Sequence, residues 1–290
     1  MARAIAFLTN PTSGKGKGAR HAAVALPRLR EAGFEVRDLV GRDADEAHDL
    51  AAAAVADGVE ALVVCGGDGL VHLGVQLVAG TDVALGVIPA GSGNDVARYL
   101  DIPRADPAAA ADVVIGSRRR QIDLARSGDR YFVTVLAAGF DAVVNERANR
   151  MSRPRGPSRY TLALLRELAT FRPLRYRLTL DGAVREQAAM LVSVANTPSL
   201  GGGMRIVPDA DLSDGLLDLF VVGPMSRVRF LRMFPKVFRG EHTGLPEVSI
   251  LRVSSVRIEA EGVVAYADGE RIGPLPIEVS VAAGALRVLA

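Results

Sequence analysis

The sequence predicts an α/β domain, with a parallel sheet covered by helices on both faces, followed by a mostly antiparallel β domain. Residues 1–123 alternate short apolar runs with alanine-rich helical stretches, which indicates repeated strand–turn–helix units. Beyond residue 123 the apolar runs alternate with polar residues and are separated by Asp-Gly turns, which indicates antiparallel strands. We assign residues 124–282 to the second domain and expect residues 283–290 to return to the first.

The elements of the first domain follow one another in a regular order. A glycine such as Gly33 or Gly58 closes the first two helices at the usual position after the last turn. The predicted strands are Ala4–Leu8, Phe34–Leu39, Val59–Cys65 and Ala84–Ile88. The predicted helices are Ala19–Ala32, Asp45–Asp57, a segment ending at Val78 and a segment starting at Asp95. Ligands of such sheets bind at the carboxyl ends of the strands, so we expect a site there.

The second domain contains seven predicted strands and three predicted helices. Turn signals such as Asp181-Gly182 and Asp268-Gly269 separate several of the strands. The predicted strands are Tyr131–Ala138, Tyr176–Leu180, Ala188–Ala195, Leu217–Val222, Ser255–Glu259, Val263–Ala267 and Ile277–Val281. The predicted helices are Ala142–Met151, Tyr160–Phe171 and Arg227–Phe238.

Composition limits the classes of partner. The 290 residues carry a formal net charge of +2, which favours neither an anionic nor a cationic partner. Tryptophan is absent and aromatic residues make up 5% of the chain, so a base-stacking surface for nucleic acid is not expected. The single cysteine, Cys65, excludes an internal disulfide and favours a reducing, cytoplasmic compartment. No apolar stretch approaches the roughly 20 residues of a membrane-spanning helix.

Three glycine-rich loops follow strands of the first domain. The first runs from Asn10 to Gly18, the second is Gly66-Gly67-Asp68-Gly69, and the third runs from Pro89 to Asp95. Backbone N–H groups at a helix N-terminus bind anions, and glycine lets the backbone approach a phosphate closely. The loops therefore predict phosphate binding, although the first lacks the ending of a P-loop. The first loop is also compatible with a flexible turn, and the second and third with structural turns in which Asp68 and Asp95, respectively, cap the helix that follows.

Two acidic turns stand out in the second domain. Residues 211–216 form a tight acidic segment, and hard oxygen ligands in such a turn suit Mg²⁺ or Ca²⁺. The segment Asp268-Gly269-Glu270 lies between two predicted strands and offers two carboxylates. A solvated hairpin turn is an alternative interpretation of both segments.

These motifs, in this order and spacing, resemble the catalytic domain of the diacylglycerol kinase and sphingosine kinase family. The resemblance is strongest to the soluble bacterial lipid kinases and covers nearly the whole chain. It implies a first domain like that of NAD kinase and phosphofructokinase. The segments that carry it are Asn10–Gly14, Gly66–Leu70, Gly91–Arg98, Gly201–Ala210, Leu212–Asp218 and Asp268–Glu270.

The resemblance implies ATP as phosphoryl donor, Mg²⁺ as cofactor, and a lipid alcohol such as diacylglycerol or a sphingoid base as acceptor, in phospholipid biosynthesis. It implies a structural Mg²⁺ held by the Asp214 carboxylate and by backbone oxygens of Asp211 and Leu216. Asp68 would help to hold the catalytic Mg²⁺, and either Asp268 or Glu270 would accept the proton of the lipid hydroxyl. The implied nucleotide-binding residues are Asn10, Ser13, Gly14, Gly66, Gly67, Asp68, Gly69, Leu70, Ser92, Gly93 and Asn94.

Two other functions are compatible with the sequence. The first is a kinase of a soluble acceptor such as NAD, because NAD kinases share the loop at Gly66–Gly69, although not the turn at Gly91–Asp95. The second is a nucleotide-binding regulatory homologue with little catalytic activity. Where the family usually has Thr-x-Asn-Glu, this chain has Leu70-Val71-His72-Leu73, so a polar contact expected at Leu73 is missing.

A basic segment lies between Arg147 and Arg177, with nine arginines and one acidic residue. Arginines near a membrane surface attract anionic headgroups, at about 1 kcal/mol each. The segment therefore predicts peripheral contact with the inner membrane surface, with Leu162, Leu164, Leu165 and Leu168 lining an acyl-chain groove. A solvated charged face over an ordinary core is the alternative. The sequence is compatible with a homodimer but does not specify the oligomeric state.

Overall fold

The computed structural model describes residues 3–151, 162–163, 166–167, 171–200 and 203–290. These residues form two compact units. The first unit comprises Met1–Leu124 and Ala282–Ala290, and the second comprises Ala125–Val281. The helix predicted at Tyr160–Phe171 and the leucines predicted to line a groove lie largely outside the described residues.

The helices and strands are numbered in chain order. The strands are β1 (Arg3–Thr9), β2 (Phe34–Leu39), β3 (Ala61–Gly66), β4 (Ala84–Pro89), β5 (Arg119–Ser127), β6 (Arg130–Phe132), β7 (Val135–Ala137), β8 (Leu174–Leu180), β9 (Ala183–Ala189), β10 (Leu191–Ala195), β11 (Leu217–Val222), β12 (Val248–Val253), β13 (Ser255–Glu259), β14 (Val264–Ala267), β15 (Glu270–Pro274) and β16 (Ile277–Leu289). The helices are α1 (Ser13–Glu31), α2 (Ala44–Ala56), α3 (Asp68–Val78), α4 (Asp95–Tyr99), α5 (Pro107–Gly116), α6 (Phe140–Arg150) and α7 (Arg227–Val237).

The first unit is an α/β domain built on a parallel sheet. The strand order is β2-β1-β3-β4, and every neighbouring pair is parallel. The end of β16 joins this sheet, since Val288 pairs in parallel with Leu85 of β4. β3 and β4 are buried along their whole length because helices cover the sheet, with α1 packed against α5 and α2 against α3. The predicted α/β class is confirmed.

The second unit is a β sandwich, which confirms the predicted antiparallel class. One sheet has the order β12-β11-β10-β7-β14-β15, with antiparallel neighbours throughout. On the other side, β13 pairs antiparallel with β8 and with the first residues of β16, and β8 pairs with β9. Tyr176, Leu178 and Ile258 pack in one core cluster with Leu136 and Leu219, so the core lies between the two layers.

Two predicted strands are wrong in extent, because each spans a break that the apolar pattern does not mark. The segment Tyr131–Ala138 contains β6 and β7, separated where the N–H groups of Val133 and Thr134 donate to the Asp268 carboxylate instead of a neighbouring strand. The segment Ala188–Ala195 contains the end of β9 and all of β10, which belong to different sheets.

Other elements escaped the sequence prediction. α5, β5 and β12 are present although no pattern predicted them. α5 begins with a clear cap, because the Asp106 carboxylate accepts from the N–H groups of Ala108 and Ala109 at 2.9 and 3.1 Å. Among the described residues, every helix is too short or too polar to span a lipid bilayer.

Candidate active site

The three glycine-rich loops of the first unit meet at the carboxyl ends of β1, β3 and β4. The N–H of Asn10 donates to the carbonyl oxygen of Cys65 at 3.0 Å, and the N–H of Ala90 donates to that of Gly66 at 2.7 Å. These bonds continue the parallel ladder for one step beyond the strands, so the three loops leave the sheet side by side. The predicted site residues of the first domain therefore share one edge of the sheet.

Glycine allows these loops to pack backbone against backbone. A Cβ on Gly14 would lie 2.0 Å from the carbonyl oxygen of Ala90, and a Cβ on Gly91 would lie 2.5 Å from the Cα of Gly67. Gly14 also begins a run of three left-handed residues, with φ values of 58°, 62° and 86° at Gly14, Lys15 and Gly16. Only glycine combines that φ with such close approach, so the first and third loops hold each other in place.

The carboxylate of Asp68 joins the second loop to the third. Its Oδ2 accepts from the N–H of Asn94 at 2.9 Å, and its Oδ1 accepts from the N–H of Asp95 at 2.8 Å. Asp68 therefore caps α4 from a neighbouring loop. Both alternative cap assignments from the sequence are wrong: Asp95 is the first residue of α4, and the helix that Asp68 begins has Gly67 at its N-cap.

The remaining polar side chains predicted to bind the nucleotide fall into two groups: asparagines that bond within the loops, and serines whose hydroxyls face outward or toward a neighbouring loop. The Asn10 side chain shapes the first loop, since its Oδ1 accepts from the N–H and the hydroxyl of Thr12 at 3.1 and 2.9 Å. The Asn94 side chain closes the third loop by bonding Gly91 in both directions at 2.9 Å. Ser92 is exposed, and the Ser13 hydroxyl faces the backbone of Gly67. Neither hydroxyl has a hydrogen-bond partner within the described residues, so both can contact a ligand.

The two carboxylates of the segment Asp268-Gly269-Glu270 have different surroundings. Oδ1 of Asp268 accepts from the N–H and the hydroxyl of Thr134 at 2.9 and 2.5 Å, and its Oδ2 accepts from the N–H of Val133 at 2.9 Å. Asp268 thus holds the turn between β6 and β7. Glu270, at the start of β15, is exposed, and its carboxylate has no hydrogen-bond partner within the described part of the chain.

The predicted metal loop at residues 211–216 carries an excess of negative charge. The Asp211 carboxylate accepts from the N–H and the hydroxyl of Ser213, and the Asp214 carboxylate accepts from the N–H of Leu216 and forms an ion pair with Arg252. The pKa of Asp218 is raised to about 6, chiefly by burial. The charge of Arg252 opposes this rise, and the charges of Asp214 and Asp209 add to it.

These residues fit a hard divalent cation, because several carboxylates share a single guanidinium. The described residues contain no cluster of three side-chain metal ligands. A cation at Asp214 would therefore need backbone oxygens and water to complete its shell, and the backbone ligands Asp211 and Leu216 stay a prediction.

Comparison with known proteins identifies the family. Residues 4–127 match the model of the diacylglycerol kinase catalytic domain, and residues 134–290 match the model of the YegS C-terminal NAD kinase beta sandwich-like domain. A diacylglycerol kinase of Mycobacterium tuberculosis is 47% identical over 98% of this chain and 94% of its own length. The chain belongs to the diacylglycerol kinase family.

Other members of the diacylglycerol kinase family support the same assignment. The diacylglycerol kinase of Bacillus subtilis is 31% identical over 94% of this chain and 91% of its own length. A solved diacylglycerol kinase structure from Bacillus anthracis has a TM-score of 0.78 and 23% identity, with 99% of this chain and 96% of that chain covered. This structure supports the fold. The resemblance inferred from the motifs is therefore confirmed.

The second unit of this diacylglycerol kinase family member also contains an apolar cavity of about 60 Å³. α6, β10, β11 and α7 provide most of its wall. The buried rings of Phe140 and Phe230 are 5.3 Å apart in an edge-to-face contact beside it. Asp141 and Ser193 are the polar side chains in a lining that is otherwise apolar and includes Leu191, Met204, Phe220 and Met233. No pattern in the sequence predicted this cavity.

Asp141 makes the stability of the second unit dependent on pH. Burial raises its pKa from 3.8 to about 6, although the N–H of Ala142 and the hydroxyl of Ser193 donate to it at 2.9 and 3.2 Å. Because the folded state favours the protonated acid, this stabilising contribution is complete below the unfolded pKa. It is lost as the pH rises through the folded pKa.

We expect Asp141→Asn to be more stable than the parent near neutral pH, because asparagine carries no charge to desolvate. The free energy of unfolding should rise by about 1–3 kcal/mol at roughly pH 7.5 and change little at roughly pH 4. Urea denaturation at the two pH values measures this difference. An equal effect of the substitution at both pH values would contradict the raised pKa.

Proposed function

We propose that this chain is an ATP-dependent lipid kinase that transfers the γ-phosphoryl group to the hydroxyl of a lipid alcohol such as diacylglycerol. The observation that carries this proposal is the convergence of the three glycine-rich loops at one edge of the parallel sheet. The relative that is 47% identical is a diacylglycerol kinase, which supports the choice of acceptor. The proposed setting is the cytoplasm, with peripheral contact at the membrane that supplies the lipid.

The loops would bind ATP through backbone N–H groups and hydroxyls. Gly14, Gly67 and Gly91 allow the three loops to pack closely, so that their backbones lie next to one another. Phosphate oxygens bind where backbone N–H groups are brought together in this way. The Ser13 and Ser92 hydroxyls would add contacts to these oxygens. Backbone groups of Gly66, Gly69, Leu70 and Gly93 would complete the predicted set, with Asn10 and Asn94 shaping the loops.

The metal proposals concern Asp68 and Asp214. When bound, Mg²⁺ neutralises charge that develops on the phosphates during transfer. Both oxygens of Asp68 accept a backbone N–H, and each oxygen retains a lone pair, so the carboxylate could bind Mg²⁺ while it caps α4. Asp214, with backbone oxygens of Asp211 and Leu216, would hold a second, structural cation.

We assign the general base to Glu270 and a positioning role to Asp268. A base needs an oxygen within reach of the acceptor hydroxyl, and Glu270 is exposed whereas Asp268 already accepts three hydrogen bonds. The hydroxyl proton passes to the Glu270 carboxylate as the lipid oxygen bonds to the γ-phosphorus. The bond from that phosphorus to the bridging oxygen breaks, and ADP leaves.

The apolar cavity beside α7 supports a lipid acceptor. Its lining of aromatic and aliphatic side chains suits methylene groups, and its volume of about 60 Å³ means that neighbouring side chains would move to admit an acyl chain. The basic segment from Arg147 to Arg177 remains a proposed membrane contact. Two of its arginines contact acids, since Arg147 pairs with Glu167 and Arg177 lies 3.9 Å from Glu186.

A kinase of a soluble acceptor is the second candidate. The match of residues 134–290 to a model described as NAD kinase beta sandwich-like is the observation that favours it. A regulatory homologue without turnover is the third. Leu73 is half-buried on α3 and provides no polar group there.

The three candidates predict different products from labelled ATP. The protein is incubated with Mg²⁺, ATP labelled at the γ position, and separate pools of diacylglycerol, sphingoid base, phosphatidylglycerol and NAD. We expect label in a lipid pool and none after Mg²⁺ is chelated. Label in NAD alone would contradict the lipid assignment. ATP binding with no label in any pool would favour the regulatory homologue.

A further inference from the structure

The outer surface of α7 carries an apolar stripe that the fold does not use. The helix packs into the second unit through Phe230, Met233 and Val237, which are buried. Val228, Leu231 and the adjoining Phe238 are 57%, 43% and 50% exposed. At 100° per residue, these three side chains and Pro235 lie within one quarter of the helix circumference, away from the buried face. They form a second apolar face, which we call the outer stripe.

Basic side chains border the outer stripe. Arg227, Arg232 and Lys236 have no ion-pair partner within the ranges of the chain that the structure describes. Two further arginines are compensated, since Arg229 pairs with Glu247 at 2.7 Å and Arg239 lies 3.6 Å from Glu241. A groove of about 420 Å³ runs along α7 beside the outer stripe. Its lining includes Arg229, Arg232 and Lys236, and we call it the basic groove.

We propose that α7 docks this protein on a bilayer that contains anionic lipid, with the outer stripe in the acyl boundary and the basic groove on the headgroups. A helix with an apolar face flanked by arginine and lysine binds in the interface plane through buried apolar area and attraction to anionic headgroups. The proposal rests on the proposed lipid kinase function. It places a membrane contact outside the predicted segment Arg147–Arg177.

The charge pattern favours a membrane over a second copy of the chain. Two copies that met through the outer stripe would bring their uncompensated Arg227, Arg232 and Lys236 side chains together, with no acidic residue on the helix to offset them. The four side chains of the outer stripe also provide much less area than a stable dimer interface. A bilayer supplies the negative charge and an apolar phase on the same surface.

The position of α7 gives membrane contact a use in the proposed reaction. Phe230, Met233 and Val237 on its inner face line the apolar cavity, so one helix separates that cavity from the outer stripe. A bilayer bound to α7 would lie one helix away from the cavity proposed for the acyl chains. A lipid acceptor would then reach the cavity without crossing water.

Vesicle sedimentation tests the proposal without nucleotide or turnover. The parent is mixed with phosphatidylcholine vesicles that contain phosphatidylglycerol and with vesicles of phosphatidylcholine alone, and we expect binding to the anionic vesicles. Each basic residue contributes about fivefold in affinity, so Arg232→Gln with Lys236→Gln should weaken binding by about 25-fold. Leu231→Gln with Phe238→Gln should weaken it by about tenfold or more.

Matched controls come from the exposed β9 strand of the same unit. Val184→Thr with Arg185→Gln changes one apolar and one basic exposed residue away from α7, and we expect parental binding. Melting curves show whether all variants remain folded. Parental vesicle binding by both α7 variants, or no binding by the parent, would overturn the proposal. A change of oligomeric state in the α7 variants would overturn it in favour of a second copy.

Activity assays separate this proposal from the kinase proposal. With a short-chain diacylglycerol in detergent micelles, the α7 variants should phosphorylate as the parent does. With diacylglycerol in anionic vesicles, they should lose activity in parallel with binding. If the parent binds vesicles but phosphorylates no lipid, the kinase proposal fails while the docking surface stands.

Discussion

Glu270→Gln should reduce phosphoryl transfer by about 10²–10⁴-fold, the usual contribution of a general base. The amide has nearly the same shape as the carboxylate but does not accept the hydroxyl proton. Since the Glu270 carboxylate is exposed and makes no hydrogen bond to the described residues, the melting temperature and the affinity for ATP should stay at parental values. Initial rates with diacylglycerol, thermal melts and nucleotide titration measure the three quantities.

Asp268→Asn is the matched control for the base assignment. Asparagine has one acceptor oxygen, so it leaves at least one N–H of Val133 or Thr134 without its partner. The free energy of unfolding should fall by about 1–3 kcal/mol, together with the activity. Parental turnover by Glu270→Gln would contradict our assignment. Loss of activity in Asp268→Asn with no change in stability would indicate that Asp268 is the base.

Gly14→Ala should disrupt the nucleotide site, because the added methyl group would separate the first loop from the third. The new Cβ would lie 2.0 Å from the carbonyl oxygen of Ala90, and φ at this position is +58°. Moving the third loop away costs about 1–3 kcal/mol, and the left-handed conformation adds about 1 kcal/mol. We expect ATP affinity to fall below detection and the melting temperature to fall with it, as titration calorimetry and thermal melts will show.

Gly16→Ala, two residues further along the same loop, isolates the effect of close approach. Its φ of +86° is also left-handed, but nothing lies within 4 Å of the Cβ that would be added. This variant should lose about 1 kcal/mol of stability and retain ATP binding. If the two variants behave alike, contact between the first and third loops does not limit nucleotide binding.

The sequence predicted the fold class because periodicity is a local property. Buried parallel strands produce continuous apolar runs such as Leu62–Cys65, and half-exposed antiparallel strands alternate. Breaks within apolar segments escaped prediction because distant residues cause them. The segment Tyr131–Ala138 divides into β6 and β7 where Asp268, more than a hundred residues later, accepts its N–H groups.

The candidate site was predictable as a set of loops but not as an arrangement. The glycines indicated phosphate binding, and the convergence of the loops follows from the parallel sheet. Two features of the site depend on contacts between distant residues and on burial. Asp68 caps the helix after the third loop, whereas the sequence suggested that Asp68 or Asp95 caps its own. Glu270 is exposed whereas Asp268 is partly buried, although the two lie in one short turn. A contact between a side chain and residues far away in the sequence leaves no local pattern that could predict it.

The bond between Asp68 and the start of α4 limits how this site can be transplanted. A designer who grafted only Gly66–Gly69 onto another parallel sheet would install a carboxylate without the two N–H groups that orient it. Without Gly93 the third loop would also collide with that carboxylate, because a Cβ there would lie 2.5 Å from Oδ2 of Asp68. The smallest portable module is therefore the second and third loops together with α4, and homologues should exchange these segments only as a block.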